Sequence, residues 1–235
     1  MRWFLSETFR NFLNILLPRH CLSCSNLVAE DGFCASCWQE ISILSTQLCK
    51  RCYRQMQYNL GIDYMCTSCS CAEFYLDLVR APMKYNYRSK IPILKYKNKA
   101  QTHLAQVFAK MIWWHVQELE IDYVVSVPLN KFRLFWRGYN QADVLALGLA
   151  KLLQISHISD VLRRNKFTPQ EGLNKSQRKN NIHGAFEMNK SICIKGKNLL
   201  LVDDVYTTGA TAEECARILK KAGAGRVYGA FIAKT

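Results

Sequence analysis

The chain has 235 residues, 49% of them hydrophobic, so it is long enough for one ordinary domain and a small second one, and this composition argues against wholesale disorder. Its formal net charge is +14, and residues 76–235 carry the whole excess because acidic and basic residues balance in residues 1–75. An excess of this size favours polyanionic partners such as nucleic acid, phosphates or anionic lipid. No apolar run reaches 18 residues, so we expect no membrane span.

The first predicted element is a short apolar segment before Cys21. Its apolar side chains recur at helical spacing, at Phe9, Phe12, Leu13, Leu16 and Leu17. The pattern predicts an amphipathic helix packed on the body of the protein, with attachment to a membrane surface as the alternative. Glu7 and Arg10 interrupt the segment, and no small-residue cleavage site follows, so it does not read as an export signal. We therefore expect a cytoplasmic protein, and a place at the inner face of the membrane stays open.

Cysteine pairs follow. Nine of the eleven cysteines lie between Cys21 and Cys71, and eight of these form four C-x2-C pairs. The pairs make two quartets: Cys21, Cys24, Cys34 and Cys37, then Cys49, Cys52, Cys66 and Cys69. Two such turns aim four thiolates at the corners of a tetrahedron, so we predict two structural zinc ions in a double zinc ribbon. The alternative, a disulfide framework, needs an oxidising compartment, and no export signal points to one. Two questions stay open: whether Cys71 replaces Cys69, and whether the turns pair sequentially or crosswise.

The rest of the chain alternates between strand and helix patterns. Residues 72–100 are interpreted as short strands and turns. Helical stripes over about 104–119, 142–153 and 211–221 then alternate with the strand patterns DYVVSVPL, NLLLV and VYGAFIA. This order predicts an α/β domain over residues 76–235, with a mostly parallel sheet and flanking helices. Residues 1–75 form the preceding module, with the amphipathic helix and the double zinc ribbon.

An acidic pair directly follows the NLLLV pattern. Ligands of parallel sheets bind where the carboxyl end of a strand turns into a helix, and the first N–H groups of that helix favour an anion. Carboxylates accept hydrogen bonds from the vicinal hydroxyls of a sugar and hold water on Mg²⁺. A ligand with a phosphate, a diol and a magnesium pyrophosphate satisfies these parts, which predicts phosphoribosyl pyrophosphate with Mg²⁺. The predicted contacts are Asp203, Asp204, Thr207, Thr208, Gly209, Ala210 and Thr211.

The segment LLLVDDVYTTGAT resembles the ligand motif of the type I phosphoribosyltransferases. This resemblance implies that Asp203 and Asp204 bind the ribose diol and that the loop from Thr207 to Thr211 binds the 5-phosphate. With the cysteine pairs, LKYKNKA, SVPLNKFRLFWRGYNQADVLA and TPQEGLNKSQRKNNIHGAF, the whole chain resembles the ComF/GntX family. Those phosphoribosyltransferase-like proteins act in bacterial competence, in handling incoming DNA during natural transformation. Tyr139 in RGYNQA is a mild departure from the commoner RGFNQA.

A phosphoribosyltransferase also needs a loop that binds pyrophosphate. The segment after SVP lies in the expected position, and it offers Lys131, Arg133 and Arg137 rather than a glycine-rich loop. No signature of a base-reading pocket is visible, so the sequence leaves catalysis open. An active phosphoribosyltransferase in nucleotide or purine metabolism is the alternative function.

Basic residues interleaved with aromatic ones predict a surface for single-stranded DNA, because cations pair with the backbone and aromatic rings stack on bases. The predicted contacts are Lys84, Arg88, Lys95, Tyr96, Lys97, Lys99, Arg178 and Lys179. A further candidate surface consists of Phe132, Phe135, Trp136 and Tyr139, although we expect core packing for at least two of them. The charge-balanced zinc ribbons are a third candidate surface, for docking a DNA-uptake or helicase protein.

Overall fold

The computed structural model describes residues 18–44, 47–58, 64–97, 103–164 and 184–235. The apolar positions of the predicted amphipathic helix, Phe9 to Leu17, lie outside these residues, and so do Lys99, Arg178 and Lys179. In the described part of the chain, no helix is both long and apolar enough to cross a membrane.

The described residues alternate between helices and strands after a cysteine-rich start. The helices are α1 (Ala35–Glu40), α2 (Thr67–Cys71), α3 (Tyr87–Lys97), α4 (Leu104–Val116), α5 (Lys131–Arg137), α6 (Gln141–Leu153) and α7 (Ala210–Lys221). The strands are β1 (Leu78–Arg80), β2 (Met83–Lys84), β3 (Tyr123–Ser126), β4 (Ser156–His157), β5 (Leu162–Arg164), β6 (Phe186–Met188), β7 (Leu199–Tyr206) and β8 (Val227–Lys234).

The main sheet is parallel, in the order β1–β8–β7–β3–β4, and β2 also pairs with β8. Strands β5 and β6 form a separate antiparallel pair. The two longest strands, β7 and β8, lie side by side in the interior of the sheet. Strands of a parallel sheet that are covered on both faces have continuous apolar runs, which is why LLLV and VYGAFIA lack the polar alternation of a half-exposed strand.

Helices cover both faces of this sheet. Because successive side chains of a strand point to opposite faces, Leu200 and Val202 of β7 pack towards α3, α4 and α6. Leu199 and Leu201 pack on the other face with α7 and the β5–β6 pair. The two hydrophobic cores thus meet at β7, so the end of this strand is accessible to groups from both layers.

Helix α3 is the main departure from the predicted elements, because residues 72–100 were interpreted as strands and turns throughout. Reciprocal bonds start the helix: Ser89 N–H donates to Asn86 Oδ1 at 2.9 Å, and Asn86 N–H donates to Ser89 Oγ at 2.8 Å. Pro92 lies inside the helix and has no N–H for the carbonyl of Arg88. The hydroxyl of Ser23 donates to that carbonyl at 3.4 Å, so the first ribbon supplies the bond that proline removes.

The cysteine-rich module packs directly on the α/β domain. Two carbonyls of the second ribbon accept hydrogen bonds from β1: Val79 N–H donates to Arg51 O at 2.7 Å, and Arg80 Nη1 donates to Lys50 O at 3.0 Å. The guanidinium of Arg80 also lies over the ring of Tyr53, 4.9 Å from its centroid. These bonds make β1 the seam between the second ribbon and the sheet.

Candidate functional site

The two cysteine quartets come together as predicted. The ligand atoms of Cys21, Cys24, Cys34 and Cys37 all lie within 4.8 Å of one another, and so do those of Cys49, Cys52, Cys66 and Cys69. Sequential turns therefore form each site, and Cys69 belongs to the second one. Cys71 is exposed and lies outside both clusters.

The sulfur geometry fits zinc. Four Zn–S bonds of about 2.3 Å place tetrahedral sulfurs about 3.8 Å apart. The Cys24 and Cys34 sulfurs are 3.6 Å apart, and those of Cys52 and Cys66 are 3.8 Å apart. A backbone N–H also donates to a sulfur in each site, from Cys34 to Cys21 and from Cys66 to Cys49, each at 3.3 Å. Four thiolate ligands leave no open coordination position, so these are structural sites.

The acidic pair lies within β7, which continues four residues beyond the predicted end of the strand at Val202. Consecutive strand residues face opposite sides of a sheet, so the two carboxylates diverge. Asp203 faces the layer of α7 and the β5–β6 pair, whereas Asp204 faces the layer of α3 and α6. The pair stays coupled through the backbone, since Asp204 N–H donates to Asp203 Oδ1 at 2.8 Å.

Asp203 has an altered protonation equilibrium. Lost hydration, followed by the neighbouring charge of Asp204, raises the pKa of Asp203 to about 7. The charges of Lys97 and Arg164 act in the opposite direction. Arg164 comes from β5, and its Nε is buried without a hydrogen-bond partner among the described residues. Near neutral pH, this carboxyl group is therefore poised between its protonated and ionised forms.

Asp204 has a cation partner, Lys97, which is also one of the predicted DNA contacts. The Lys97 ammonium, at the end of α3, lies 2.9 Å from Asp204 Oδ2, and both side chains are partly buried. The proximity of these residues depends on how α3 packs over the sheet, which no local sequence pattern indicates.

The loop after β7 is short and joins directly to α7. Thr207 and Thr208 are exposed, and Gly209 is the N-cap of the helix, with a left-handed φ of 78°. A Cβ on Gly209 would lie 2.2 Å from the hydroxyl oxygen of Tyr206, so this position requires glycine for its backbone angle and for the close contact. Ala210 and Thr211 form the first turn of α7, whose first backbone N–H groups have no acceptor within the helix.

The predicted pyrophosphate residues lie on α5, a seven-residue helix capped by the side chain of Asn130. Arg133 is exposed and Arg137 is partly exposed, whereas the side chain of Lys131 lies outside the described residues. Arg133 is also close enough to Arg164 to contribute, after burial, to lowering the pKa of that guanidinium. Helix α5 is thereby at the rim of the acidic site.

The aromatic residues of this region are more exposed than predicted. Phe132, Phe135 and Trp136 are 58%, 83% and 73% exposed, and Tyr139 is partly buried. Our expectation that at least two of the four pack in the core is therefore wrong. Exposure of these rings on α5 depends on what packs against the helix, which sequence periodicity in a helix of two turns cannot reveal.

The DNA contacts predicted along α3 need a correction. Tyr96 is fully buried and its hydroxyl donates to Gln141 O at 2.6 Å, so it has no face for a base, and that prediction is wrong. Three of the predicted cations have protein partners: Arg88 pairs with Glu40, Lys95 donates to Ser25 Oγ, and Lys97 pairs with Asp204. Lys84 is exposed on β2.

Comparison with known protein families separates the chain into two parts. Residues 12–70 match the double zinc ribbon domain, and residues 99–234 match the phosphoribosyl transferase domain. Together with the strand order and the cysteine clusters, these matches confirm the predicted fold class, a type I phosphoribosyltransferase-like domain preceded by a zinc-ribbon module.

Several curated proteins are similar in sequence. Competence protein F of Haemophilus influenzae is 30% identical over 91% of this chain and 94% of its own length. Competence protein ComFC of Streptococcus pneumoniae is 26% identical over 93% of this chain and 91% of its own length. The DNA utilization protein YhgH of Escherichia coli K12 is 37% identical over 45% of this chain and 46% of its own. Among solved structures, adenine phosphoribosyltransferase of Saccharomyces cerevisiae matches 62% of this chain and 73% of its own at 21% identity, with a TM-score of 0.37.

We predict about two zinc ions per chain in protein purified without a chelator. Replacing Cys69 by Ser removes one ligand of the second site and is expected to lower the zinc content to about one. The matched control is Cys71→Ser, which removes an exposed thiol two residues away and leaves the content at two. Elemental analysis measures both, and equal zinc loss in the two variants would contradict the ligand assignment.

The raised pKa of Asp203 predicts a pH dependence of stability. Between its ordinary value of 3.8 and about 7, the folded state keeps a proton that the unfolded state releases, so the free energy of unfolding falls as pH rises through this window. Asp203→Asn removes this contribution, so the stability of the variant rises relative to the parent from pH 4 to pH 7.

The control is Asp122→Asn, because a backbone N–H and Lys197 lower the pKa of Asp122. The stability that Asp122 contributes is fully present above its ordinary pKa of 3.8, so it does not change between pH 4 and pH 7. Parallel urea-unfolding profiles for the parent and Asp203→Asn would refute the assignment.

Proposed function

Since this chain belongs to the family of bacterial competence proteins that includes competence protein F and ComFC, we propose that it handles single-stranded DNA in natural transformation. We also propose that its phosphoribosyltransferase-like domain binds phosphoribosyl pyrophosphate, or a related phosphorylated ribose, with Mg²⁺. Both proposals involve Arg133 and Arg137 of α5, and each has its own test.

The ligand proposal rests on one observation: the acidic pair is followed, five residues after Asp204, by the glycine N-cap of a helix. Asp203 and Asp204 supply acceptors for the ribose diol and for Mg²⁺-bound water. The N–H groups at the start of α7 and the hydroxyls of Thr207 and Thr208 supply donors for the 5-phosphate. Arg133 and Arg137 at the rim supply cations for pyrophosphate. Each charged part of the ligand thus has complementary groups on β7, on α5, or on the loop and first turn of α7.

The DNA proposal now rests on α5 instead of α3. Three exposed aromatic rings beside Arg133 and Arg137 combine stacking platforms with backbone cations, which is the chemistry of single-strand binding. Lys84, on β2, is a further exposed cation. Contacts from Lys99, Arg178 and Lys179 stay predictions. Because α5 borders the ligand site, DNA on this helix would lie next to the bound ribose.

For the zinc ribbons we propose a supporting role in partner recognition. They carry exposed apolar side chains, such as Leu27 and Trp38 at 68% and 47% exposure, which suit a protein surface better than a phosphate backbone. A DNA-uptake or helicase protein is the proposed partner class.

The alternative of an active phosphoribosyltransferase uses the same ligand site and adds a nucleophilic acceptor. Release of pyrophosphate on incubation with purine bases, Mg²⁺ and phosphoribosyl pyrophosphate would favour it. Binding without turnover would favour the binding function.

Phosphoribosyl pyrophosphate with Mg²⁺ is expected to raise the melting temperature of the protein, by an amount set by its concentration relative to Kd. Replacing both Asp203 and Asp204 by Asn removes the carboxylate charge that orients Mg²⁺-bound water and the diol, so the shift disappears. Differential scanning fluorimetry measures this, with Asp122→Asn as the control that keeps the shift. A shift that survives in the double variant refutes the site.

Single-stranded DNA is expected to bind with a log K that falls linearly with log salt, because phosphate contacts release counterions. With roughly four to six phosphate contacts the slope is about −3 to −4. Phe135→Ala or Trp136→Ala is expected to cost about 1–3 kcal/mol with little change in slope. Arg133→Ala combined with Arg137→Ala flattens the slope by up to about 1.4.

Trp114→Ala is the matched control for the aromatic variants, since Trp114 is 63% exposed on α4. Fluorescence titration with labelled strands at two salt concentrations gives all the values. Salt-insensitive binding, or an equal loss for Trp114→Ala, would contradict a DNA surface on α5.

A further inference from the structure

The contact between Lys97 and Asp204 occupies part of the acidic pair. With an Nζ–Oδ2 distance of 2.9 Å and side-chain exposures of 29% and 20%, it is a partly desolvated ion pair in the site itself. Such a pair is stronger than an exposed one, because less water screens it. One of the two carboxylates proposed to accept from the ribose diol is therefore already engaged.

Helix α3 holds Lys97 in this position from both ends. At its start, the Arg88 guanidinium makes a two-point contact with Glu40 of the first ribbon, with Nη2 2.9 Å from Oε1. At its end, Tyr96 donates to the carbonyl of Gln141, and Gln141 Nε2 donates to the carbonyl of Lys97 at 3.1 Å. The backbone of Lys97 is thus fixed against α6, and only its flexible side chain is left to reorient.

The ion pair has unequal consequences for different ligands. A sugar diol that binds Asp204 competes with the Lys97 ammonium for the same oxygen lone pairs. The diol is neutral, so it gives the ammonium no anionic partner to replace Asp204. In phosphoribosyl pyrophosphate, the pyrophosphate is attached to the carbon next to the diol. That ligand brings an anion close to Asp204, so Lys97 can exchange one anionic partner for another without losing charge compensation.

We propose that Lys97 is a specificity-determining residue. Its ammonium moves from Asp204 to the pyrophosphate of an incoming ligand, and this exchange favours pyrophosphorylated ribose over ribose 5-phosphate. The proposal rests on the proposed ligand site and adds to it the group that distinguishes the two ligand classes. The first zinc ribbon contributes by clamping the start of α3, so that the ammonium stays within reach of the acidic pair.

The test is the ratio of two dissociation constants, for ribose 5-phosphate and for phosphoribosyl pyrophosphate, measured by calorimetry with Mg²⁺ on the full chain. Lys97→Met keeps the apolar stem and removes the charge. It is expected to shrink the preference for the pyrophosphorylated ligand by about tenfold or more, because a charge-assisted contact to pyrophosphate is lost. Lys97→Arg is expected to restore most of the preference.

Lys90→Met is the matched control, since Lys90 is an exposed lysine on the same helix. Its ratio is expected to equal that of the parent. If Lys97→Met destabilises the fold, Lys97→Gln provides a second neutral variant for the same ratio. A ratio unchanged in the neutral variants, with both ligands weakened equally, means that Lys97 only supports the structure and overturns the proposal. If the parent protein binds neither ligand, the proposed ligand site itself is wrong and this inference is overturned with it.

Discussion

Two adjacent carboxylates at the end of a central parallel strand impose the main constraint on this structure. Because β7 alternates its side chains between the two faces of the sheet, Asp203 and Asp204 face different layers of helices and strands. Each layer therefore brings its own cation: α3 supplies Lys97 to Asp204, and the β5–β6 pair brings Arg164 towards Asp203. The charge balance of the site thus couples two hydrophobic cores that are otherwise separated by the sheet.

The zinc ribbons are integrated into the same arrangement. The first ribbon holds the start of α3 through Glu40 and completes the proline-interrupted helix through Ser23. The second ribbon is joined to β1 by hydrogen bonds to the carbonyls of Arg51 and Lys50. The residues after it bind α7, where Glu213 accepts from Tyr75 N–H at 2.7 Å. Metal sites far apart in sequence from the acidic motif therefore support helices on both of its sides. A region with few large apolar residues gains much of its folding energy from metal, so this support depends on zinc.

Basic residues have different roles in the two halves of the α/β domain. Those of α3 are largely committed to protein partners, which explains why a high local charge density there does not by itself indicate a nucleic-acid surface. On α5 the arginines lie beside exposed rings at the rim of the site. Basic residues thus stabilise an interface on α3 and lie beside exposed rings on α5, according to what packs against each helix.

Local patterns were sufficient for several features. Paired C-x2-C spacing predicted both metal quartets, because such turns converge on one point, and alternating apolar strands and helices predicted the parallel fold. The motif around Asp203 and Gly209 predicted a strand whose end leads into a helix N-terminus, and β7 and α7 confirm this order. Tertiary packing decided the rest. Nothing local indicates that Tyr96 is buried, that Lys97 reaches Asp204, or that the rings of α5 stay exposed, because each of these depends on contacts between elements far apart in the chain. The choice of Cys69 over Cys71 likewise followed only from the three-dimensional approach of four sulfurs, which spacing alone leaves open.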